Sequence, residues 1–367
     1  MKWVLLLVFT LLGVVLAEGV ASVLVDEVYL QRRSRMGGIL VPYAPNTAAD
    51  LLADEFRVGF SINRFGHRDR ADRSETPTPD TTRVVVLGDS FSAGWGVEFE
   101  DTYAYRVEEA TGVEMINAAK NGGCPLWFVP QARYTREHFS PDWFVVQLFD
   151  NDPEDNVIHM NRFDLEVGDV YTTLPERLEP PTGVRSLIQR FDASVLRRRF
   201  RQLSRRLRGK RLHSTPYVKP GRKADQPVLS REEAIEKHGV RFDAERPLST
   251  SWAFHDPEQT PQWEERIAWN AQLLGQLLEE ARAAGIRVAV LYIPAYDVFL
   301  RPPGRNPHAE SAREVTEAHG AVWIDAQQAL AGTPRPWELY HAYDGHLNAP
   351  GHAAIATLLG DRMAEHW

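Results

Sequence analysis

Short apolar runs alternate with amphipathic segments along most of this chain. The clearest runs are Val84–Leu87, Val113–Ala119, Trp143–Phe149, Ile286–Ile293 and Ala321–Asp325. Apolar runs of this length, separated by helical patterns, predict a doubly wound parallel sheet that is buried on both faces. We therefore expect an α/β fold with three α/β/α layers and a five-stranded parallel sheet in the flavodoxin-like order 2-1-3-4-5.

Helical spacing of apolar residues marks the segments between these strands. The predicted helices run from Asp101 to Gly112, from about Pro261 to Gly285, from Ser311 to Gly320 and from Gly351 to about Met363. Glycine ends the first three, as expected at a helix C-terminus, and Asn348 with Pro350 opens the last.

The first thirty residues have the pattern of an export segment. Lys2 precedes an apolar run from Trp3 to Ala17, and a weaker apolar stretch continues from Gly19 to Val25 beyond Glu18. The run is typical of a signal peptide, and the longer segment has the length of a membrane anchor. Residues 1–30 are predicted as one or the other. Both interpretations place the rest of the chain in the cell envelope, on the exported side of the inner membrane, either anchored or secreted.

The remaining chain divides by composition. Residues 31–80 are predicted to be a stem that ends in a half-buried strand around Phe56–Ile62, where apolar and polar residues alternate. Residues 81–156 and 261–367 carry the sheet pattern, and 157–260 form a mainly helical and loop insertion. Within it, residues 195–211 predict a basic amphipathic helix. Such a helix suits binding to an anionic membrane or an acidic polysaccharide, and it equally suits a solvated helix that covers the sheet.

Composition narrows the possible classes of function. A net charge of -8 argues against nucleic-acid binding. Cys124 is the only cysteine, which excludes an intramolecular disulfide, and the histidines are scattered, so no metal site and no cofactor are predicted.

Two polar motifs carry candidate chemistry. Gly88-Asp89-Ser90 follows the first strand, and Asp344-Gly345-His346 lies near the C-terminus. A serine hydroxyl needs a base within hydrogen-bond reach and a third group that orients the base. Ser90, His346 and Asp344 are the candidates for these roles.

Two further positions suit an oxyanion hole at the same edge of the sheet. Asn151 follows the third strand and offers a side-chain amide, and Gly122 follows the second strand and lets a backbone N–H approach. With the backbone N–H of Ser90, they supply three candidate donors.

These residues together resemble the four sequence blocks of the SGNH, or GDSL-type, hydrolase family. The blocks fall on Ser90, Gly122, Asn151 with Asp152, and His346 with Asp344, and the resemblance covers roughly 55–156 and 261–367. Phe149 replaces the usual glycine of the third block. Asp344 lies two residues before the histidine, whereas many members have three. The last block is also similar to membrane-anchored bacterial members and alginate acetyltransferase-like proteins.

The resemblance implies a serine esterase. With export, it predicts hydrolysis of acyl, mainly O-acetyl, esters on cell-envelope glycans or lipids, and the N-terminal helix would contact the membrane. O-acyl transfer to an envelope polysaccharide uses the same first half-reaction and stays open. So does a noncatalytic glycan-binding or scaffold role. A third alternative is a magnesium site for phosphoryl transfer at Asp89, Asp150 and Asp152.

Overall fold

The computed structural model describes residues 2–24, 30, 43–163, 217–221, 227–238, 260–300 and 306–367. The first range forms helix α1, Lys2–Leu24, where the sequence predicts a membrane or signal helix. Over the ranges just given, no helix has both the length and the apolar character that crossing a membrane requires. The basic helix predicted over 195–211 lies outside the described residues.

The strands of the described ranges form two sheets. In chain order they are β1 (Thr47–Leu52), β2 (Arg57–Ile62), β3 (Arg83–Leu87), β4 (Glu114–Asn117), β5 (Trp143–Phe149), β6 (Tyr217–Val218), β7 (Arg287–Ile293) and β8 (Val322–Asp325). The central sheet has the order β4-β3-β5-β7-β8, and all its pairs are parallel. Counted within this sheet alone, the order is 2-1-3-4-5. The numbering over the whole chain differs from the prediction, because β1, β2 and β6 belong to a second sheet that was not expected.

Helices cover both faces of the central sheet. After α1 they are α2 (Ser90–Ala93), α3 (Tyr103–Thr111), α4 (Pro125–Phe139), α5 (Asp152–Phe163), α6 (Arg231–His238), α7 (Thr260–Ala283), α8 (Pro307–Ala318), α9 (Ala326–Ala331) and α10 (Ala349–Met363). Helices α4, α7 and α8 bury apolar side chains against one face, and α3, α9 and α10 do so against the other. The three layers are therefore those the sequence predicts.

The second sheet, here called the accessory sheet, has the order β2-β1-β6 and is antiparallel. The alternation predicted for β2 is present, since Val58, Phe60 and Ile62 are buried in an apolar cluster with Tyr217. Strand β6 lies within the predicted insertion, yet Tyr217 pairs with Leu51 of β1. Segments from before and after the first half of the central sheet thus form one small sheet.

Strand direction brings the candidate residues to one edge. Because β3, β4 and β5 are parallel neighbours, the chain segments that follow them leave the sheet at the same edge. These segments carry Ser90, Gly122 and Asn151, respectively.

Candidate active site

The chain turns sharply between β3 and α2 to present Ser90 as the first helical residue. The side chain of Asp89 caps the helix by accepting a hydrogen bond from the Phe91 N–H at 2.8 Å. The Asp89 N–H donates to Gln147 Oε1 of β5 at 3.0 Å. No hydrogen bond within the described residues engages the Ser90 N–H, which therefore remains available as a donor.

Ser90, His346 and Asp344 form a continuous chain of hydrogen bonds. His346 Nδ1 lies 2.6 Å from Asp344 Oδ1, and His346 Nε2 lies 2.8 Å from Ser90 Oγ. Because a carboxylate only accepts, Nδ1 carries the hydrogen and Nε2 is left to accept the Ser90 hydroxyl proton. The geometry is that of a nucleophile, a base and an orienting acid.

The short spacing between Asp344 and His346 depends on Gly345. Its φ of 87° lies in the left-handed region that glycine adopts without steric cost. The loop is closed by two backbone hydrogen bonds, from His341 N–H to the His346 carbonyl at 2.8 Å and from Gly345 N–H to the His341 carbonyl at 3.0 Å. Asn348 then caps α10 and ends the loop just beyond His346. A two-residue spacing therefore still brings acid and base together.

Asp344 is held on several sides. Trp95 Nε1 donates to Asp344 Oδ2 at 3.1 Å, and one carboxylate oxygen of Glu55 accepts the N–H groups of Tyr343 and Asp344 at 2.9 and 2.6 Å. Burial alone would raise the pKa of Asp344, but the charge of His346 and the hydrogen bonds from His346 and Trp95 lower it to about 2. The carboxylate is therefore charged at every pH above about 4.

Aromatic rings surround the imidazole of His346. Its ring centre lies 4.9 Å from that of Phe91 and 5.7 Å from that of Trp95. Phe149 stacks on Phe91 with ring centres 4.3 Å apart. Phe149 is thus accommodated in the aromatic cluster beside His346.

The turn that carries Gly122 is packed directly against the strand end before Ser90. Lys120 N–H donates to the Gly88 carbonyl at 2.9 Å, and a Cβ on Gly123 would come within 2.4 Å of the same oxygen. Only glycine at position 123 allows so close an approach. Within the part of the chain that the structure describes, the Gly122 N–H has no hydrogen-bond partner.

Asn151 caps α5 from the end of β5. Its backbone carbonyl accepts the N–H groups of Glu154 and Asp155, and its Nδ2 donates to Asp155 Oδ2 at 3.1 Å. Burial and the charge of Asp89 raise the pKa of Asp155 to about 7. Where this carboxyl is ionised it can only accept, so the amide nitrogen of Asn151 faces it and the direction of the amide is set. One of the two Nδ2 hydrogens is used by Asp155, and the other is left for an oxyanion.

We expect Asp155→Ala to lower kcat by about tenfold to a hundredfold, because the amide of Asn151 loses the partner that orients it. Asp155→Asn keeps an acceptor oxygen at the same place and should retain most of the activity. Steady-state kinetics of the two variants provide the measurement. Equal losses in both would show that the acceptor is not what matters.

The three carboxylates considered as magnesium ligands, Asp89, Asp150 and Asp152, accept hydrogen bonds from the protein. Asp150 accepts hydrogen bonds from Tyr292, Ala295 and Asn306. Asp152 Oδ2 accepts the Phe149 N–H at 3.0 Å, while Asp89 caps α2. Among the described residues, no three or more His, Cys, Asp or Glu side chains are grouped as metal ligands.

Sequence reasoning missed Trp95, Glu55 and Asp155. Asp155 carried a usable signal, since it lies four residues after Asn151 at a helix start, where the two side chains meet. Trp95 and Glu55 carried none, because they reach Asp344 from 249 and 289 residues away.

Neither the scan of protein families nor the search of curated proteins finds a match to this chain. Solved structures of similar fold include TesA, with a TM-score of 0.42 and 12% identity over 77% of this chain and 99% of that one. A lipase/acylhydrolase from Enterococcus faecalis gives 0.39 and 13%, over 78% and 96%. A GDSL-like lipase from Bacteroides thetaiotaomicron gives 0.39 and 11%, over 79% and 92%.

Proposed function

We propose that this protein is a serine ester hydrolase in which Ser90 is the nucleophile, His346 the base and Asp344 the acid that orients it. The observation that carries the proposal is the chain of hydrogen bonds from Ser90 Oγ through His346 to Asp344, at 2.8 and 2.6 Å. The unused N–H of Ser90 beside it supplies a first oxyanion donor.

The reaction then proceeds in two acyl-transfer steps. His346 Nε2 takes the Ser90 proton while Oγ attacks the ester carbonyl, and the oxyanion accepts hydrogen bonds from the N–H groups of Ser90 and Gly122 and from the Asn151 amide. The tetrahedral intermediate collapses, and His346 returns the proton to the departing alcohol. Water, deprotonated by His346, attacks the acyl-serine and releases the carboxylic acid and free Ser90.

We propose short acyl groups, chiefly acetyl, on a hydroxyl-rich alcohol such as an envelope glycan or lipid headgroup. The stacked rings of Phe91 and Phe149 fill space beside His346, which favours a short acyl chain. Next to the loop of Asp344, mostly polar residues that include Glu55, His341 and Asn348 line a cavity of about 370 Å³. Ser90 and His346 do not line it, so its support for a hydroxyl-rich alcohol is the polar surface that adjoins the site.

A fluorophosphonate probe followed by mass spectrometry tests the nucleophile, and acetyl and octanoyl esters of p-nitrophenol test chain length. We expect a single adduct on Ser90 and at least tenfold higher kcat/KM for the acetyl ester. A folded protein without the adduct would refute the hydrolase and favour the noncatalytic glycan-binding alternative. Acylated sugar in place of free acid, when a glycan acceptor is added, would identify an O-acyltransferase.

We propose further that the protein acts in the cell envelope. The support is the sequence of its first segment, where Lys2 precedes the apolar run to Ala17. Fractionation of cells that produce the full chain should recover it in the membrane or exported fraction. Sequencing of its N-terminus would distinguish a retained helix from a cleaved signal peptide, and recovery in the cytosol would contradict export.

A further inference from the structure

Asn121, the residue before Gly122, is hydrogen-bonded to two tyrosines in the region of the accessory sheet. Tyr43 donates its hydroxyl hydrogen to Asn121 Oδ1 at 3.0 Å and accepts the Asn121 N–H at 3.1 Å. Asn121 Nδ2 donates to the Tyr217 hydroxyl oxygen at 2.9 Å. Both ends of the amide and the backbone of Asn121 are therefore fixed from outside the central sheet.

The two tyrosines are themselves rigidly placed. Tyr43 is 0% and Tyr217 5% exposed, and both rings contact Phe60 of β2 edge-on with ring centres 5.4 Å apart. Burial raises the pKa of both hydroxyls above the ordinary value. They consequently stay protonated at neutral pH, as the hydrogen bonds to Asn121 require.

The Gly122 turn thus has two anchors. The Gly88 carbonyl accepts the Lys120 N–H at 2.9 Å, and the Gly123 N–H donates to the Lys120 carbonyl at 2.8 Å. The two tyrosines hold Asn121 from the region of the accessory sheet. Between these anchors lies the Gly122 N–H, which the described residues leave without a partner. A donor that must meet a developing charge is effective only when its direction is set beforehand.

We propose that Asn121 is a positioning residue for the oxyanion donor Gly122. Two tyrosines hold it in place: Tyr217 of β6 and Tyr43, whose ring packs on Phe60 of β2. The proposal rests on the serine hydrolase mechanism above. It assigns the accessory sheet a part in catalysis, through Asn121, without contact to the substrate.

Tyr43→Phe and Tyr217→Phe test this assignment, because each removes one hydroxyl and keeps the packed ring. For each variant we expect kcat to fall about tenfold with KM nearly unchanged. Affinity for a boronic acid, which forms a tetrahedral adduct on the serine, should fall by a similar factor. The factor by which kcat falls in the double variant should be smaller than the product of the two single factors, since both hydroxyls act through Asn121.

Thr316→Val is the matched control. It also removes a fully buried hydroxyl, here bonded to the Ala312 carbonyl within α8 at 2.7 Å, and should lower thermal stability without changing kcat. If the wild type is active and both the Tyr43 and the Tyr217 variants keep its kcat and its boronate affinity, the role of Asn121 is refuted while the proposed hydrolase function stands. A wild type without hydrolysis or serine labelling would instead overturn the proposed function.

Discussion

Ser90→Ala is expected to lower kcat for ester hydrolysis by about a million-fold. The substitution removes the oxygen that His346 Nε2 contacts at 2.8 Å, and it leaves the base with water alone to activate. Because the hydrogen-bonded serine, histidine and aspartate act as a unit, removing the serine lowers kcat about as much as removing all three side chains. The measurement is kcat on p-nitrophenyl acetate, with burst kinetics to detect the acyl-enzyme.

Ser311→Ala serves as the matched control, since Ser311 is a half-buried serine of α8, a helix that packs on α7 and β8, and it should leave kcat unchanged. Ser90→Ala must also unfold at nearly the wild-type temperature for the comparison to stand. If the variant kept more than about one per cent of the activity, Ser90 would not be the nucleophile, and the assignment of His346 as its base would fail with it.

Asp344→Asn should lower kcat by about ten-thousandfold while the fold is retained. An asparagine side chain can present its amide to His346 Nδ1, which stabilises the tautomer with the hydrogen on Nε2, and that tautomer cannot accept the Ser90 proton. The substitution also removes the negative charge that stabilises the imidazolium formed in the reaction.

The charge of Asp344 can be tested directly. The pKa of Asp344 is lowered to about 2, so the wild-type carboxylate stays charged from pH 5 to 9. The carboxyl carbon resonance of Asp344, assigned by its absence from the Asp344→Asn variant, should therefore show no titration of its own carboxyl group across that interval. A carboxyl titration between pH 5 and 9 would contradict its role as a permanent anion.

The parts of the fold that the sequence predicts are those with a local signal. Each central strand is a continuous apolar run followed by polar or glycine residues, which is why the five parallel strands and the residues at their carboxyl ends can be predicted from the pattern. The strand order is not encoded in these runs and comes from the flavodoxin-like fold. Small offsets arise at helix starts. Asp101 is the predicted cap of α3, but it lies in a short 3-10 turn, and Thr102 caps the helix instead.

The parts that were missed lack such a signal. Helix α4 is buried on nearly all sides and contains Pro130, so it shows no amphipathic period. Strand β1 buries only Ala49 and Leu51, and β6 is two residues long. Their pairing is a long-range contact that no local pattern encodes, and the tyrosines that hold the Gly122 turn were missed for the same reason.

The separation of 256 positions between Ser90 and His346 has a consequence for biosynthesis. A ribosome completes β3 and the turn that carries Ser90 long before it reaches residue 346, so a nascent chain contains the serine without the histidine that faces it. Under the proposed mechanism, ester hydrolysis begins only after residue 346 has been translated and the loop before α10 has docked on the sheet. The serine would then be unreactive throughout synthesis, and the onset of turnover would report that this loop has folded.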